Sequence, residues 1–364
     1  MVVAERQPER QRSILTDTIY ERLLWPLFRR MDPETAHLRT LDALALAQSN
    51  PVGRAALRRI AGQVPLSPVQ VGRLHFPNPV GVAAGFDKDA RVVAGLTLLG
   101  FGHVEIGTLT PRAQPGNPQP RIFRLPTDEA IINRMGFPNE GVEAAVASLR
   151  ALPAERDYVV GVSLGKQKET PLEDAAADYV TVMRAVHPYA DYLAVNISSP
   201  NTPGLRELQG GRHLDHLLRV VVAENLSLSA VENQPPKPLW VKIAPDLEYD
   251  ELDEILATLL AVGIDGIIIA NTTLSRAGLA DAGRAEAGGL SGRPLRRRST
   301  QLIAHVHRQT NGALPIIGVG GVSSAADVRE KLAAGAAVVQ LYTGLVYRGP
   351  GLAGQILREL AAGI

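Results

Sequence analysis

The chain has 364 residues with 38 Lys or Arg against 37 Asp or Glu, and this net charge of +1, with no long basic tract, argues against nucleic acid as a partner. It has no cysteine, which excludes disulfides, a thiolate nucleophile and any iron–sulfur cluster ligated by this chain, so redox chemistry here needs a bound organic cofactor. No apolar run approaches the ~20 residues of a membrane span, and the N-terminus lacks the apolar core of a signal peptide, so the expected place is the cytoplasm or a membrane surface reached from it.

In chain order, residues 1–12 are polar and expected to fray. Residues 13–28 carry Ile, Leu, Trp and Phe at roughly helical spacing, with Pro26 kinking or restarting the helix. A second helix has a clear start: Asp32 is an N-cap, Pro33 takes the first helical position, and Leu38, Leu41 and Leu44 form an apolar stripe that ends near Gln48. Up to Ile60 there are ten Arg and seven acidic residues, so the segment is mildly basic as well as apolar. It reads either as a helical hairpin packed on the main domain or as a membrane-surface platform. We divide the chain into this helical extension, 1–60, and a main domain, 61–364.

A short hairpin is expected over 70–76, and eight short apolar runs follow, each closed by Gly or polar residues and each leading into a helical stretch. They lie at 80–84, 104–106, 159–164, 192–195, 239–243, 266–269, 316–319 and 338–341. Eight such units fit a (β/α)8 TIM barrel of the α/β class, whose strands are covered on both faces. A doubly wound sheet is the competing architecture, disfavoured because no strong G-x-G-x-x-G opens the first unit. The connection over 109–140 is too long for a simple βα loop, and its two strand-like pieces, 121–125 and 130–135, predict an ordered hairpin.

In a TIM barrel the active site lies at the C-terminal strand ends. Those ends deliver Gly85, Phe86, Asp87 and Lys88; Gly107 and Thr108; Ser163, Gly165 and Lys166; the stretch NISSPNT, 196–202; Lys242; Asn271, Thr272 and Thr273; Gly320 and Gly321; and Tyr342, Thr343 and Gly344. A hydrophobic strand ending abruptly in amides and hydroxyls, as at NISSPNT, marks a site, although a Ser/Pro/Asn turn capping the strand is the other reading. Lys88 stands between Asp87 and Asp89, where a surface ion pair competes with a ligand role. Lys242, between Val241 and Ile243, must face an anionic or electron-accepting ligand or bear a heavy desolvation cost. Gly320, Gly321 and Gly344 suit a phosphate cradle beside a helix N-terminus, or else tight turns needing positive φ. The eight histidines form no metal-binding motif, His305 and His307 read as exposed helix positions, and no G-x-S-x-G surrounds Ser199.

Nearly the whole chain after about Ile19 resembles the dihydroorotate dehydrogenase family, in its membrane-associated, quinone-reducing branch. The motifs carrying this are AAGFDKD (83–89), EIGTLTPR (105–112), INRMGF (132–137), NISSPNTPGLR (196–206), VKIAPDL (241–247), NTTL (271–274), GGLSGRPL (288–295), PIIGVGGV (315–322), QLYTG (340–344) and, in the extension, MDPETAH (31–37). The resemblance implies oxidation of (S)-dihydroorotate to orotate in pyrimidine biosynthesis, one FMN per chain, and a quinone as acceptor. By motif position Ala84, Gly85, Phe86, Asp87, Lys88, Thr108, Ser163, Asn196, Lys242, Ala270, Gly292, Gly321, Tyr342 and Thr343 would hold FMN. Lys88, Asn133, Arg134, Met135, Gly136, Phe137, Asn196, Asn201, Asn271 and Thr272 would surround the substrate. Ser199 would be the catalytic base, with Thr202 or water as relay, at a position that is typically Cys in the soluble branches. His37, Arg124 and Tyr342 would line a quinone tunnel between the extension and the barrel.

The family commonly has Asn where this chain has Ser163, and Thr where it has Ala270. The implied setting is a monomer, peripheral on the cytoplasmic side of the cell (inner) membrane. Another FMN barrel with a different acceptor or pyrimidine, and a non-catalytic scaffold barrel, are the alternatives.

Overall fold

Val- and Ile-rich runs too short to be helices pair side by side and bury both faces. The computed structural model describes residues 20–280 and 286–363, so the expected start of the first helix lies outside the described residues. A hairpin of β1 (Val69–Val71) and β2 (Leu74–Phe76) leads into β3 (Val80–Val82) and β4 (His103–Leu109). The long insert then supplies β5 (Arg112–Gln114), β6 (Ile122–Leu125), β7 (Ala130–Asn133) and β8 (Asn139–Gly141). After them come β9 (Val159–Leu164), β10 (Tyr192–Asn196), β11 (Leu239–Ile243), β12 (Gly266–Ile269), β13 (Gly289–Gly292), β14 (Ile316–Val319) and β15 (Val338–Leu341). Eight of these close a parallel barrel in the order β10-β11-β12-β14-β15-β3-β4-β9, which rules out the doubly wound sheet.

Inside the barrel, rings fill the space left by glycines on adjacent strands. A Cβ on Gly81 would run into the His103 ring, one on Gly161 into Tyr192, and one on Gly266 into Trp240. Below them Val71, Leu74 and Phe76 of the hairpin join the same apolar cluster, with Phe76 edge-on to His103 at 5.0 Å between centroids. The floor is therefore solid, and open space is confined to the opposite, C-terminal end.

The helix Pro33–Gln48 begins as expected: Thr35 N donates to Asp32 Oδ1 at 2.9 Å. Leu41 and Leu44 enter the main core with Leu57 of the helix Pro51–Ala61. Leu38, expected in the same stripe, lies at its edge and is 48% exposed. Gln48 fastens this hairpin to the barrel, donating to Arg91 O and accepting from Gly95 N, both at 2.7 Å.

The insert forms the expected β6–β7 hairpin, widened by an antiparallel third strand, β13, while β5 pairs with β8. It is tied to the extension. Arg121 Nη2 donates to Glu34 Oε1 at 2.6 Å in a buried ion pair, and Arg124 Nη1 donates to the carbonyls of Phe28 and Met31 at 3.0 Å each. His305 corrects its expectation: it is only 8% exposed, stacks on Tyr249 and bonds Asp253 at 2.6 Å, whereas His307 is exposed.

Candidate active site

A cavity of about 600 Å³ runs from the C-terminal strand ends up to the extension helices. Its lower wall carries Thr108, Asn196, Ser199, Lys242 and Asn271; its upper wall is apolar, with Trp25, Phe28, Ala36, Leu44 and Ile60 around His37 and Arg124. Phe86 and Tyr342 line it as well, edge-on to each other at 5.7 Å between centroids, and His37 stands edge-on to Phe86 at 5.3 Å.

At the lower end, Lys242 Nζ donates to Glu105 Oε1 at 3.2 Å. The other oxygen, Glu105 Oε2, accepts from Tyr192 Oη and Gln340 Nε2, both at 3.0 Å. All four side chains are buried. The Glu105 carboxylate thus accepts three donors, so the buried pair is fully hydrogen-bonded on its acid side, and Lys242 lines the cavity. Burial, and then the Glu105 charge, push the Tyr192 phenol well up, so it acts as a neutral donor.

Above this, amides and hydroxyls stitch four strand ends together. Ser163 Oγ and Thr108 Oγ1 share a hydrogen bond of 2.9 Å, Asn196 Nδ2 donates to Thr108 Oγ1 at 2.8 Å, and Asn196 Oδ1 accepts from Ser198 Oγ at 3.1 Å and Asn271 Nδ2 at 3.3 Å. Tyr179 Oη holds the Asn196 carbonyl from behind at 2.8 Å. The loop after β10 is braced by Arg206, which donates to Ser198 O at 3.1 Å, Thr272 O at 3.0 Å and Asp246 Oδ2 at 2.8 Å. Ser199 is buried on this loop, its Oγ accepting from Asn201 N at 3.2 Å, and Asn201 Nδ2 reaches Asn133 Oδ1 at 3.1 Å. The Thr202 hydroxyl is buried without a partner among the described residues.

Lys88 is no surface ion pair. Its Nζ donates to Gly85 O at 2.9 Å, whereas the Asp87 carboxylate accepts from Arg91 N and Val92 N at 2.8 Å each, and Asp89 Oδ1 accepts from Glu140 N at 2.9 Å. Burial pushes the Lys88 ammonium down to about 8, against opposing pulls from Asp89 and Glu34. Burial likewise lowers His37 to about 3, with Lys88 adding to the effect, and raises Tyr342 to about 12. Both are neutral near pH 7.

Gly292 and Gly321 form one corner of the cavity. Both have positive φ, +97° and +70°, and a Cβ on either would strike backbone, that of Glu129 and of Arg296 respectively. Only glycine fits, and bare N–H groups result.

Of the residues that the family resemblance assigns to flavin, substrate, base or quinone, three do not line the cavity. Asp87 uses its carboxylate to fold its own loop. Ser163 sits behind Thr108, as a support. Arg134 turns away to Glu286 at 2.9 Å and over the Phe123 ring. Lys166, at the third strand end, donates instead to the carbonyls of Gln167 and Thr170. The other residues so assigned share the cavity wall, Ala84, Gly85, Ala270, Met135, Gly136, Phe137 and Thr343 among them, whereas Gly165, Thr202 and Thr273 lie outside it. Sequence reasoning passed over Glu105, Gln340, Tyr179, Arg206 and Asp246. An acid or amide inside an apolar run is a usable signal for the first two; the others act through tertiary contacts that no local pattern announces.

A family model described as dihydroorotate dehydrogenase matches residues 67–364. A relative in Acidithiobacillus ferrooxidans named dihydroorotate dehydrogenase (quinone) is 51% identical over 341 residues, 93% of this chain and 93% of its own length. One of the same name in Nitrosospira multiformis is 50% identical over 341 residues, 93% of this chain and 95% of its own. The crystal structure of DHODH in complex with ferulenol from Eimeria tenella is similar at a TM-score of 0.80 and 38% identity, covering 92% of this chain and 93% of that one.

Proposed function

This chain belongs to the dihydroorotate dehydrogenase family, among its quinone-dependent members, and we propose that its cavity works as two joined sites, one for dihydroorotate and one for quinone. It is a flavin-dependent oxidoreductase that oxidises dihydroorotate to orotate in pyrimidine biosynthesis and passes the electrons to a quinone. The observation that carries the two-site reading is the continuity of the cavity from Ser199 and Lys242 to His37 and Arg124.

The residues fit a flavin mononucleotide, one per chain. Gly292 and Gly321 make a corner that a Cβ would fill, suited to a phosphate, and no Asp or Glu lines the cavity among the described residues. Gln340 Oε1 and Thr272 Oγ1 are buried in the wall without partners among the described residues. Ala84, Gly85, Thr108, Asn196, Lys242, Ala270, Gly292, Gly321, Tyr342 and Thr343 would hold it, with Lys88 at its edge. Bound there, the flavin supplies the hydride acceptor for the substrate ring and the electron path to quinone.

The chain's own residues supply the rest. Lys88 binds the substrate carboxylate, and Asn133, Asn201, Asn271 and Thr272 orient the ring through its polar edge. Ser199 Oγ takes the proton from the ring carbon next to the one that loses hydride and passes its own to Thr202 Oγ1 or water. A serine alone is a weak base. Exclusion of water from the buried loop, and donation by the amides and Lys88 to the developing enolate, offset that weakness.

The extension, residues 1–60, we assign to the membrane and the quinone. Among the described residues no helix is long and apolar enough to cross a membrane. Leu24, Leu27, Leu38, Leu46 and Val52 are nevertheless exposed, with Arg22, Arg29, Arg30, Arg39, Arg58 and Arg59 exposed among them. That mixture suits a peripheral surface on the cytoplasmic side of the inner membrane, with quinone entering beside His37, and a monomer suffices for it. The test is anaerobic titration of the yellow protein with dihydroorotate, followed by quinone. Bleaching and then recovery of the colour is the expected result; colour without bleaching would reassign the substrate.

A further inference from the structure

Lys331 lies outside everything assigned so far, yet it is fully buried, at 0% exposure, in the helix Ala325–Ala333. Its stem passes Gly318 of β14, where a Cβ would stand 3.3 Å from Lys331 Cδ. Its ammonium ends on two hydroxyls in the first turn and a half of the helix Arg296–Gln309: it donates to Ser299 Oγ and, at 3.3 Å, to Thr300 Oγ1. The one proton of Ser299 Oγ is in turn shared between Gly320 O and Arg296 O, at 3.3 Å each. A cation therefore sits directly behind the Gly320–Gly321 turn.

Two physical facts make this placement odd for a merely structural lysine. A buried ammonium held only by neutral hydroxyls lacks a compensating charge, and among the described residues no carboxylate comes within ion-pair distance of it. The acids nearest in sequence are engaged elsewhere: Asp327 and Glu330 both face Arg296, at 2.7 and 3.6 Å, and Asp327 also accepts from Ser323 N at 2.9 Å. The start of the helix Arg296–Gln309, moreover, is its positive end, which opposes the favourable negative end that Lys331 meets in the last turn of its own helix. Burial accordingly pushes Lys331 down to about 8. An anion in reach would stabilise such a cation, and the glycine turn in front of it is part of the cavity wall.

We propose that Lys331 is a positioning residue for the phosphate of the flavin: through Ser299 it fixes the Gly320–Gly321 turn, and its charge favours a phosphate monoester dianion on the far side. This rests on reading that corner as the phosphate end of the cofactor site.

The test compares FMN with riboflavin, which lacks the phosphate, by flavin release from the holoprotein and rebinding of each, followed by fluorescence. The wild type should hold FMN more tightly than riboflavin; equal affinities would sink the reading of the corner itself, whatever Lys331 does. In Lys331→Met, FMN affinity should fall about tenfold or more while riboflavin affinity stays put. Equal losses for both flavins, or no loss for either, would overturn the proposal. Should the lysine variant not fold, Ser299→Ala carries the same readout: the preference for FMN over riboflavin must shrink, and an unchanged preference overturns the proposal.

Discussion

Glu105 accepts a hydrogen bond from Lys242 across 3.2 Å of barrel interior, and neither side chain has another ion-pair partner among the described residues. Removing one member leaves the other charge buried and alone, which costs about 3–5 kcal/mol. Glu105→Gln should therefore lower the unfolding free energy by about that much, with a similar loss in Lys242→Met. The double variant should lose clearly less than the sum. Denaturant unfolding of all four proteins checks this, and additive losses would mean that the two side chains do not act as a pair.

Ser199→Ala should retain its flavin and its fold but lose about 10²–10⁴ in the rate of anaerobic reduction by dihydroorotate. Thr202→Val should lose less, since water can replace a relay. Stopped-flow measurement of the flavin colour decides the matter. A near-normal rate in Ser199→Ala would remove Ser199 from the base role.

Lys88 should give the reaction an alkaline limit. Its folded value of about 8 lies below the ordinary 10.5, so the unfolded chain binds more protons between those values and this group's contribution to stability rises with pH across that window. Binding runs the other way. Only the protonated amine holds a carboxylate, so kcat/KM for dihydroorotate should fall above about pH 8. The limb in kcat should lie higher, because the bound carboxylate stabilises the ammonium. Lys88→Met should raise KM and abolish the limb; an unchanged limb in that variant would assign it to another group.

His37 and Arg124 flank the apolar end of the cavity, far along it from Ser199. His37→Ala should leave reduction by dihydroorotate intact and slow re-oxidation by quinone about tenfold or more, a loss of the size expected when one contact in a binding site is removed. Measuring the two half-reactions separately tests this. Equal losses in both would argue against a distinct quinone site.

Replacing Leu27, Leu38 and Leu46 by Glu should release the protein from anionic vesicles in a flotation assay while leaving turnover with a soluble short-chain quinone nearly unchanged. These side chains are 60%, 48% and 70% exposed, so the fold does not depend on them. Deleting the extension outright is a poorer experiment, because it would strip Glu34 from the buried Arg121. Undiminished vesicle binding of the triple variant would move the membrane contact elsewhere.

The barrel was legible because its strands are buried on both faces and read as continuous apolar runs; all eight begin within one residue of where the pattern places them, and six end within one residue of the expected end, β3 stopping two short and β4 running three beyond. β13 was invisible as a strand. Its sequence, GLSG, has neither alternation nor β-branched residues, and it exists only because β7 offers it an edge. Lys242 could be assigned to the cavity from its apolar neighbours alone, whereas Asp87 and Arg134 misled because a loop position at a strand end does not say which way its side chain turns. The Arg206 brace and Lys331 depend on partners 66 and 32 residues away, and no local pattern carries that information.

The solid floor beneath the barrel has a consequence for traffic. With Phe76, Tyr192 and Trp240 closing the lower end at 1% exposure or less, nothing crosses the barrel along its axis. Dihydroorotate, orotate and both forms of the quinone must all use the same upper rim. On the two-site proposal, the extension and the loop bearing Ser199 frame different stretches of that rim and would keep them apart. Among the described residues the well is blind at its base, so any order of arrival and departure has to be kept at its rim.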